Sequence, residues 1–199
     1  MKRKILIATR NKHKLREIHQ IIQGLPYELL GLDDVEPIPE IVEDGETFEA
    51  NALKKALTTA KLTGIFTLAD DSGLLVDALD GQPGVYSARF AGPEADDEKN
   101  NLKLLSSMKD VEEAHRTARF VCVIALASPD GKTQTVQGSC EGSIAFKAAG
   151  QGGFGYDPLF VPEGFVQSFA ALDSSVKNQI SHRAKALQAV RPLLESQIN

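Results

Sequence analysis

Apolar positions fall along the chain in two alternating patterns, short unbroken runs and longer stripes at helical spacing. Lys4-Ile5-Leu6-Ile7-Ala8-Thr9 is an unbroken run of the kind a buried strand shows. Behind it Leu15, Ile18, Ile21, Ile22 and Leu25 recur with a helical period until Gly24 and Pro26 stop the pattern. Tyr27 to Leu32 reads as a second strand, and the acidic, proline-containing stretch Asp33 to Glu46 as a loop without period. From Thr47 onward Phe48, Ala52, Leu53, Ala56, Leu57 and Ala60 predict a helix, with Glu46 and Glu49 near its positive end. The run Gly64 to Ala69 predicts a strand that ends abruptly in Asp70-Asp71-Ser72-Gly73, the kind of strand exit where α/β enzymes place chemistry.

The second half continues in the same manner. Asp96-Asp97-Glu98 opens a helix with Leu102, Leu105 and Met108 on one face, a scaffold element. Ala118 to Leu126 carries the strongest strand signal. Ser128-Pro129-Asp130-Gly131 turns it back toward an antiparallel partner at Thr133 to Gln137, with Glu141 to Ala145 as its extension. Glycines at 150, 152, 153 and 155 imply close backbone approach or positive φ ahead of the aromatic cluster Phe154, Tyr156 and Phe160. Ser181 reads as the N-cap of a last helix through Ala186, Leu187, Val190 and Leu194, which puts His182 and Arg183 in its first turn. No internal repeat or low-complexity segment interrupts the series.

Composition narrows the function without choosing it. The 199 residues, 42% hydrophobic and 25% charged, describe an ordinary globular domain of one or two lobes, and a net charge of −5 argues against binding a polynucleotide backbone. The basic start Met1-Lys2-Arg3-Lys4 leads into an apolar run too short for a signal peptide, and Phe120 to Ala127 is too short to span a bilayer. A cytoplasmic protein is the expectation. Cys122 and Cys140 form neither a Cys-x-x-Cys motif nor a Cys/His cluster, so they are expected to be reduced and structural.

Candidate chemistry concentrates in three places. Thr9-Arg10-Asn11-Lys12-His13-Lys14 links a strand to a helix N-terminus, where unpaired amides and the helix dipole favour an anion. Thr9 can offer a hydroxyl, Asn11 an amide and Lys14 an ammonium, or the stretch is only a solvated basic loop. Asp70 and Asp71 allow three readings, a hard-cation site, an acid/base pair or a polar strand end. Adjacent strand positions face opposite ways, so both converge on one site only if they lie just beyond the strand. Glu43 is a candidate second carboxylate for Mg²⁺, which takes one or two carboxylates and completes its shell with water and phosphate oxygens. At the far end, the planar fork of Arg183 matches O6 and N7 of a 6-oxopurine and Phe154 or Tyr156 could stack on the ring, or these residues are only core and cap.

Five motifs in order, Thr9-x-Asn11-x-x-Lys14, Ala69-Asp70-Asp71-Ser72-Gly73-Leu74, Pro83-Gly84-Val85-Tyr86-Ser87-Ala88-Arg89, Gly152-Gly153-Phe154-Gly155-Tyr156-Asp157-Pro158 and Ser181-His182-Arg183, strongly resemble the inosine triphosphate pyrophosphatase (Ham1-like) family. The resemblance runs from Ile5 to about Leu187. It implies an α/β fold, elongated and two-lobed around a long mixed β-sheet with flanking helices, the active-site cleft lying between the lobes of a single catalytic domain. It implies a homodimeric, Mg²⁺-dependent enzyme that hydrolyses ITP, dITP and XTP to monophosphate and pyrophosphate. By position, Asp71 matches the proton acceptor and a metal ligand, and Glu43 the other metal-linked carboxylate. Thr9, Arg10, Asn11, Lys12, His13 and Lys14 match the phosphate loop, Lys55 a helix lysine near the phosphates, and Ser72 a substrate contact. Phe154, Gly155, Tyr156, Asp157, Lys177, His182 and Arg183 match nucleotide-binding positions. Arg10 and Val176 depart from residues common in the family, and neither change removes a proposed ligand. A Maf-like pyrophosphatase acting on pyrimidine or modified nucleotides and a nucleotide sensor without turnover are the alternatives.

Overall fold

The computed structural model describes residues 3–94 and 96–196. Six strands make one sheet, β1 (Arg3–Ile7), β2 (Tyr27–Leu30), β3 (Thr67–Val76), β4 (Thr117–Ala127), β5 (Thr133–Ile144) and β6 (Phe160–Pro162), in the order β2-β1-β3-β4-β5-β6. The helices are α1 (Lys12–Ile22), α2 (Phe48–Thr63), α3 (Asp97–Ser107), α4 (Ser174–Ile180) and α5 (His182–Ser196). β1 pairs in parallel with β2 and β3, whereas β5 and β6 are antiparallel, so the sheet is mixed. The turn from Ser128 to Lys132, closed by the Ser128 amide on the Lys132 carbonyl at 2.9 Å, is short enough to allow only antiparallel pairing of β4 with β5.

The chain divides into two compact units, one of Met1–Asp71, Cys122–Gly138 and Arg183–Asn199, the other of Ser72–Val121 and Ser139–His182. In the first unit the period-two alternation of the strands sorts the core onto two faces. Ile5, Ile7, Leu68, Cys122, Ile124 and Leu126 pack with Ile18 and Ile22 of α1 and with Leu187, Val190 and Leu194 of α5. Their in-between neighbours Ala8, Ala69, Val123, Ala125 and Ala127 pack on Ala52, Ala56 and Ala60 of α2. Alanine against alanine brings α2 close to the sheet, so polar residues on its inner stripe reach strand residues directly. Thr47 caps that helix by accepting from the Ala50 amide at 3.1 Å. Burial of Cys122 pushes its thiol up to about 12, so it stays protonated and inert.

The second unit packs Leu74, Val76, Leu104, Met108, Phe120, Tyr156, Phe160 and Phe169 together, with Phe120 and Phe160 edge to face at 4.7 Å. Arg116, buried at 2% exposure, spends its guanidinium on the carbonyls of Ile144 (2.7 Å), Met108 (2.8 Å) and Ala145 (3.1 Å).

One expectation fails in an informative way. The strand was expected to stop at Ala69, yet β3 runs on through Asp70, Asp71 and Ser72 to Val76. Backbone pairing does not depend on side-chain polarity, and Leu74 and Val76 supply new apolar anchors beyond the polar triplet. The two aspartates therefore lie within the strand and divide between its faces, Asp70 in the parity of Leu68 and Asp71 in the parity of Ala69.

Candidate active site

Asp70, fully buried, faces α1 and α5. Its Oδ2 accepts from Lys14 Nζ at 3.1 Å and from Arg183 Nε and NH2 at 3.3 and 3.2 Å. Arg183, 1% exposed, also donates NH1 to Glu17 Oε2 of α1 at 2.5 Å. The result is a line of alternating charge, Glu17, Arg183, Asp70, Lys14, whose last member stands in the loop expected to bind phosphate. Burial pushes the Asp70 carboxyl up, but Lys14, Arg183 and Lys55 outweigh it and hold the acid well below the ordinary carboxylate range. Burial alone would lower Arg183, yet Asp70 and Glu17 hold it above its ordinary value.

Asp71, 7% exposed, faces α2 and accepts at Oδ2 from Asn51 Nδ2 at 3.0 Å. Burial raises its carboxyl pKa above the usual value. Lys14 and Lys55 pull it down, while Glu43 adds to the rise. Glu43 is in turn held by Lys55 Nζ at 2.9 Å, and the Lys55 side chain is only 11% exposed. Burial would lower Lys55, but Asp70, Glu43 and Asp71 together raise it and keep the ammonium charged. Glu43 and Asp71 are hard oxygen donors whose charges oppose each other, a pair suited to a shared divalent cation. Among the described residues no group of three or more His, Cys, Asp or Glu gathers into a larger ligand set.

The phosphate loop differs in detail from the expectation. Asn11 is the N-cap of α1, and its Oδ1 accepts from the His13 and Lys14 amides at 2.9 and 3.1 Å. The amide donors expected to meet an anion there are thus capped from within, which leaves the cationic side chains as the stronger attraction. Thr9 Oγ1 accepts from the Asn11 amide at 3.2 Å and so shapes the turn. Arg10 NH2 donates to the Ile38 carbonyl at 3.1 Å, fastening the loop to the acidic segment. Lys12 and His13 are exposed, with Arg16 NH2 3.0 Å from His13 Nδ1.

The remaining positions belong to the second unit, where Ser72, half-buried, follows Asp71 on β3. Asp157 is buried, pairs with Lys177 Nζ at 2.6 Å and accepts from the Phe154 amide at 2.9 Å. Its carboxylate fills the space a Cβ on Gly153 would need, and Gly153 sits at φ +74°, so only glycine fits. The Lys177 ammonium lies 4.9 Å from the centre of the half-buried Phe154 ring. The Gly155 amide donates to Asp97 Oδ2 at 2.6 Å and its carbonyl accepts from Asn101 Nδ2 at 2.8 Å, so α3, expected to be scaffold, grips this loop.

Three of the expected nucleotide-binding residues are buried. Arg183 spends Nε and NH2 on Asp70 and NH1 on Glu17. Tyr156 is core, 3% exposed, with its hydroxyl on the Ser87 carbonyl at 2.8 Å and its pKa raised by burial and then by Asp97. His182 is 5% exposed and stacks on Phe120 with ring centres 4.7 Å apart. Asn51 and Glu17, which sequence reasoning passed over, do carry signals. Asn51 is a polar residue inside an alanine stripe, and Glu17 follows Lys14 by one helical turn.

A buried strand carboxylate lies here beside a second acid and two lysines, charges of the kind that phosphate chemistry calls for. The Ham1 family model matches residues 5–193, and the chain belongs to that family. The chain is 54% identical to a dITP/XTP pyrophosphatase of Geobacter sulfurreducens, over 94% of each chain. It is 52% identical to a dITP/XTP pyrophosphatase of Desulforamulus reducens, over 96% of this chain and 95% of that one. Among solved structures, the Ham1 protein of Staphylococcus aureus is similar with a TM-score of 0.87 at 39% identity, covering 98% of this chain and all of the other.

Proposed function

We propose that this protein hydrolyses deaminated purine nucleoside triphosphates, dITP, XTP and ITP, to the monophosphate and pyrophosphate, with Asp71 as proton acceptor and Mg²⁺ as cofactor. The observation that carries the reading is Asp71 itself, a carboxylate whose basicity is raised by burial and by Glu43 in reach of the fields of Lys14 and Lys55. The dITP/XTP pyrophosphatase relatives support the substrate class.

Lys14 and Lys55 meet the triphosphate and offset charge that builds as the α–β phosphate link breaks. Asp71 takes a proton from the attacking water, whose oxygen bonds to phosphorus as pyrophosphate leaves. Asp70 does not titrate in this step; its depressed pKa keeps it anionic, and it fixes the Lys14 ammonium. Glu43 and Asp71 are the residues that would hold Mg²⁺, which supplies neutralisation of phosphate charge when bound. Phe154, backed by Lys177, offers the ring face for the base. Among the described residues no helix is long and apolar enough to cross a membrane. A cytoplasmic homodimer is part of the same proposal, on the strength of the family resemblance.

The test is a substrate panel with purified protein and Mg²⁺, the products resolved by anion-exchange chromatography. Pyrophosphate from dITP, XTP and ITP, released at least about 100-fold faster than from ATP or GTP, is the expected result. Equal rates on all five would refute the base preference, and orthophosphate as first product would refute the cleavage position.

A further inference from the structure

The inner stripe of α2 carries one fully buried amide that the reaction outlined above does not use. Asn51 is 1% exposed and stands beside Ala52 and Ala56, against the strand face that presents Asp71. It joins two segments. Nδ2 donates to Asp71 Oδ2 at 3.0 Å and to the Gly45 carbonyl at 3.4 Å, and Oδ1 accepts from the Gly45 amide at 2.7 Å. Gly45 lies two residues beyond Glu43 in the acidic loop, and one turn further along α2 Lys55 holds Glu43 at 2.9 Å. With Lys54 on Asp44 at 2.5 Å, the helix grips the Glu43 loop through three residues and the catalytic carboxylate through one, all within the first unit.

The residue type follows from those partners. A carboxylate lacks the donor that Asp71 receives, and would bring a third negative charge beside Glu43 and Asp71. Leucine has the shape but neither bond. An amide alone among short neutral side chains donates at one end and accepts at the other. The fit is close, since a Cβ on Gly45 would stand 2.7 Å from Asn51 Oδ1 and 3.0 Å from the Ala50 Cβ.

We propose that Asn51 is a positioning residue, a latch that sets Glu43 and Asp71 as one preformed carboxylate pair for a divalent cation. The proposal rests on the function given above and adds the residue that keeps the pair in place. Outer-shell partners of this kind commonly hold metal affinity or activity by about 10–100-fold.

The test uses Mn²⁺ alone as the probe, followed by electron paramagnetic resonance in the absence of nucleotide, on the full chain and its Asn51→Ala and Gly45→Ala variants. Both variants are expected to bind Mn²⁺ about 10–100-fold more weakly. With XTP and saturating Mg²⁺ both should lose kcat while KM changes by no more than about twofold. Gly45→Ala removes no buried side chain and only pushes Asn51 from its place, so it carries the test should Asn51→Ala fail to fold. Mn²⁺ affinity within about twofold of the parent in either natively melting variant would overturn the latch, as would a parent protein that takes up no Mn²⁺. A parent that binds Mn²⁺ through Asn51 yet releases no pyrophosphate would overturn the proposed reaction and leave the latch standing.

Discussion

Replacing Asp70 with asparagine tests the charge arrangement most directly, because shape is kept and one buried charge is lost. Lys14 Nζ at 3.1 Å and Arg183 NH2 at 3.2 Å each interact with Asp70 by about 5 kcal/mol at an effective dielectric near 20. Against this stands the desolvation of a fully buried carboxylate, several kcal/mol that the asparagine variant does not pay. The variant also leaves Lys14 and Arg183 facing each other with Glu17 alone to offset them. The net loss should be about 3–5 kcal/mol, the range for breaking a buried pair from one side. With a urea m-value of about 2–3 kcal/mol/M, the unfolding midpoint falls by about 1–2.5 M. The sign with pH is fixed by the depressed carboxyl. A folded-state pKa below the unfolded value of about 3.9 means the stabilisation is complete above that value and is lost as pH falls through the folded one. Parent and variant should therefore differ by a constant amount between pH 6 and 8 and converge only below about pH 4. A difference under about 1 kcal/mol at pH 7, or one already halved by about pH 5.5, would refute the reasoning.

Asp71→Asn should cut pyrophosphate release from XTP by about 10²–10⁴-fold, and in EDTA it should raise unfolding stability by about 0.5–2 kcal/mol, since it removes a carboxylate that burial and Glu43 disfavour. Near-normal turnover would move the proton acceptor elsewhere, and a loss of stability would contradict the burden placed on that carboxylate. Lys177→Met removes the cation 2.6 Å from the buried Asp157 and should cost about 3–5 kcal/mol in denaturant titration. An unchanged midpoint would mean that the pair contributes nothing net.

Much of this architecture is legible in the chain because burial is written as periodicity. Ile5 and Ile7 announce a strand, and Leu187, Val190 and Leu194 a helix face. Phe48, Ala52, Ala56 and Ala60 announce a second helix. What escaped was decided by pairing across long sequence distances. That β3 continues through Asp70 and Asp71 depends on neighbours such as β1 and β4, to which no local pattern around the Asp-Asp-Ser-Gly stretch refers. The ion pairs of Arg183 are not legible locally, because its partners lie 113 and 166 residues away. Asn11 looked like a donor to phosphate, yet its carbonyl satisfies its own helix first, as an N-cap asparagine does.

The charge line ending at Lys14 also orders events during synthesis. Lys14, Glu17 and Asp70 leave the ribosome well before Arg183, the cation that reconciles Glu17 with Asp70. Until that residue arrives a nascent chain carries two acids against one lysine, in a sheet half still lacking α5, whose Leu187, Val190 and Leu194 close its core. A chain released before Arg183 would keep the Asp71 strand but lack the cation that joins Glu17 to Asp70.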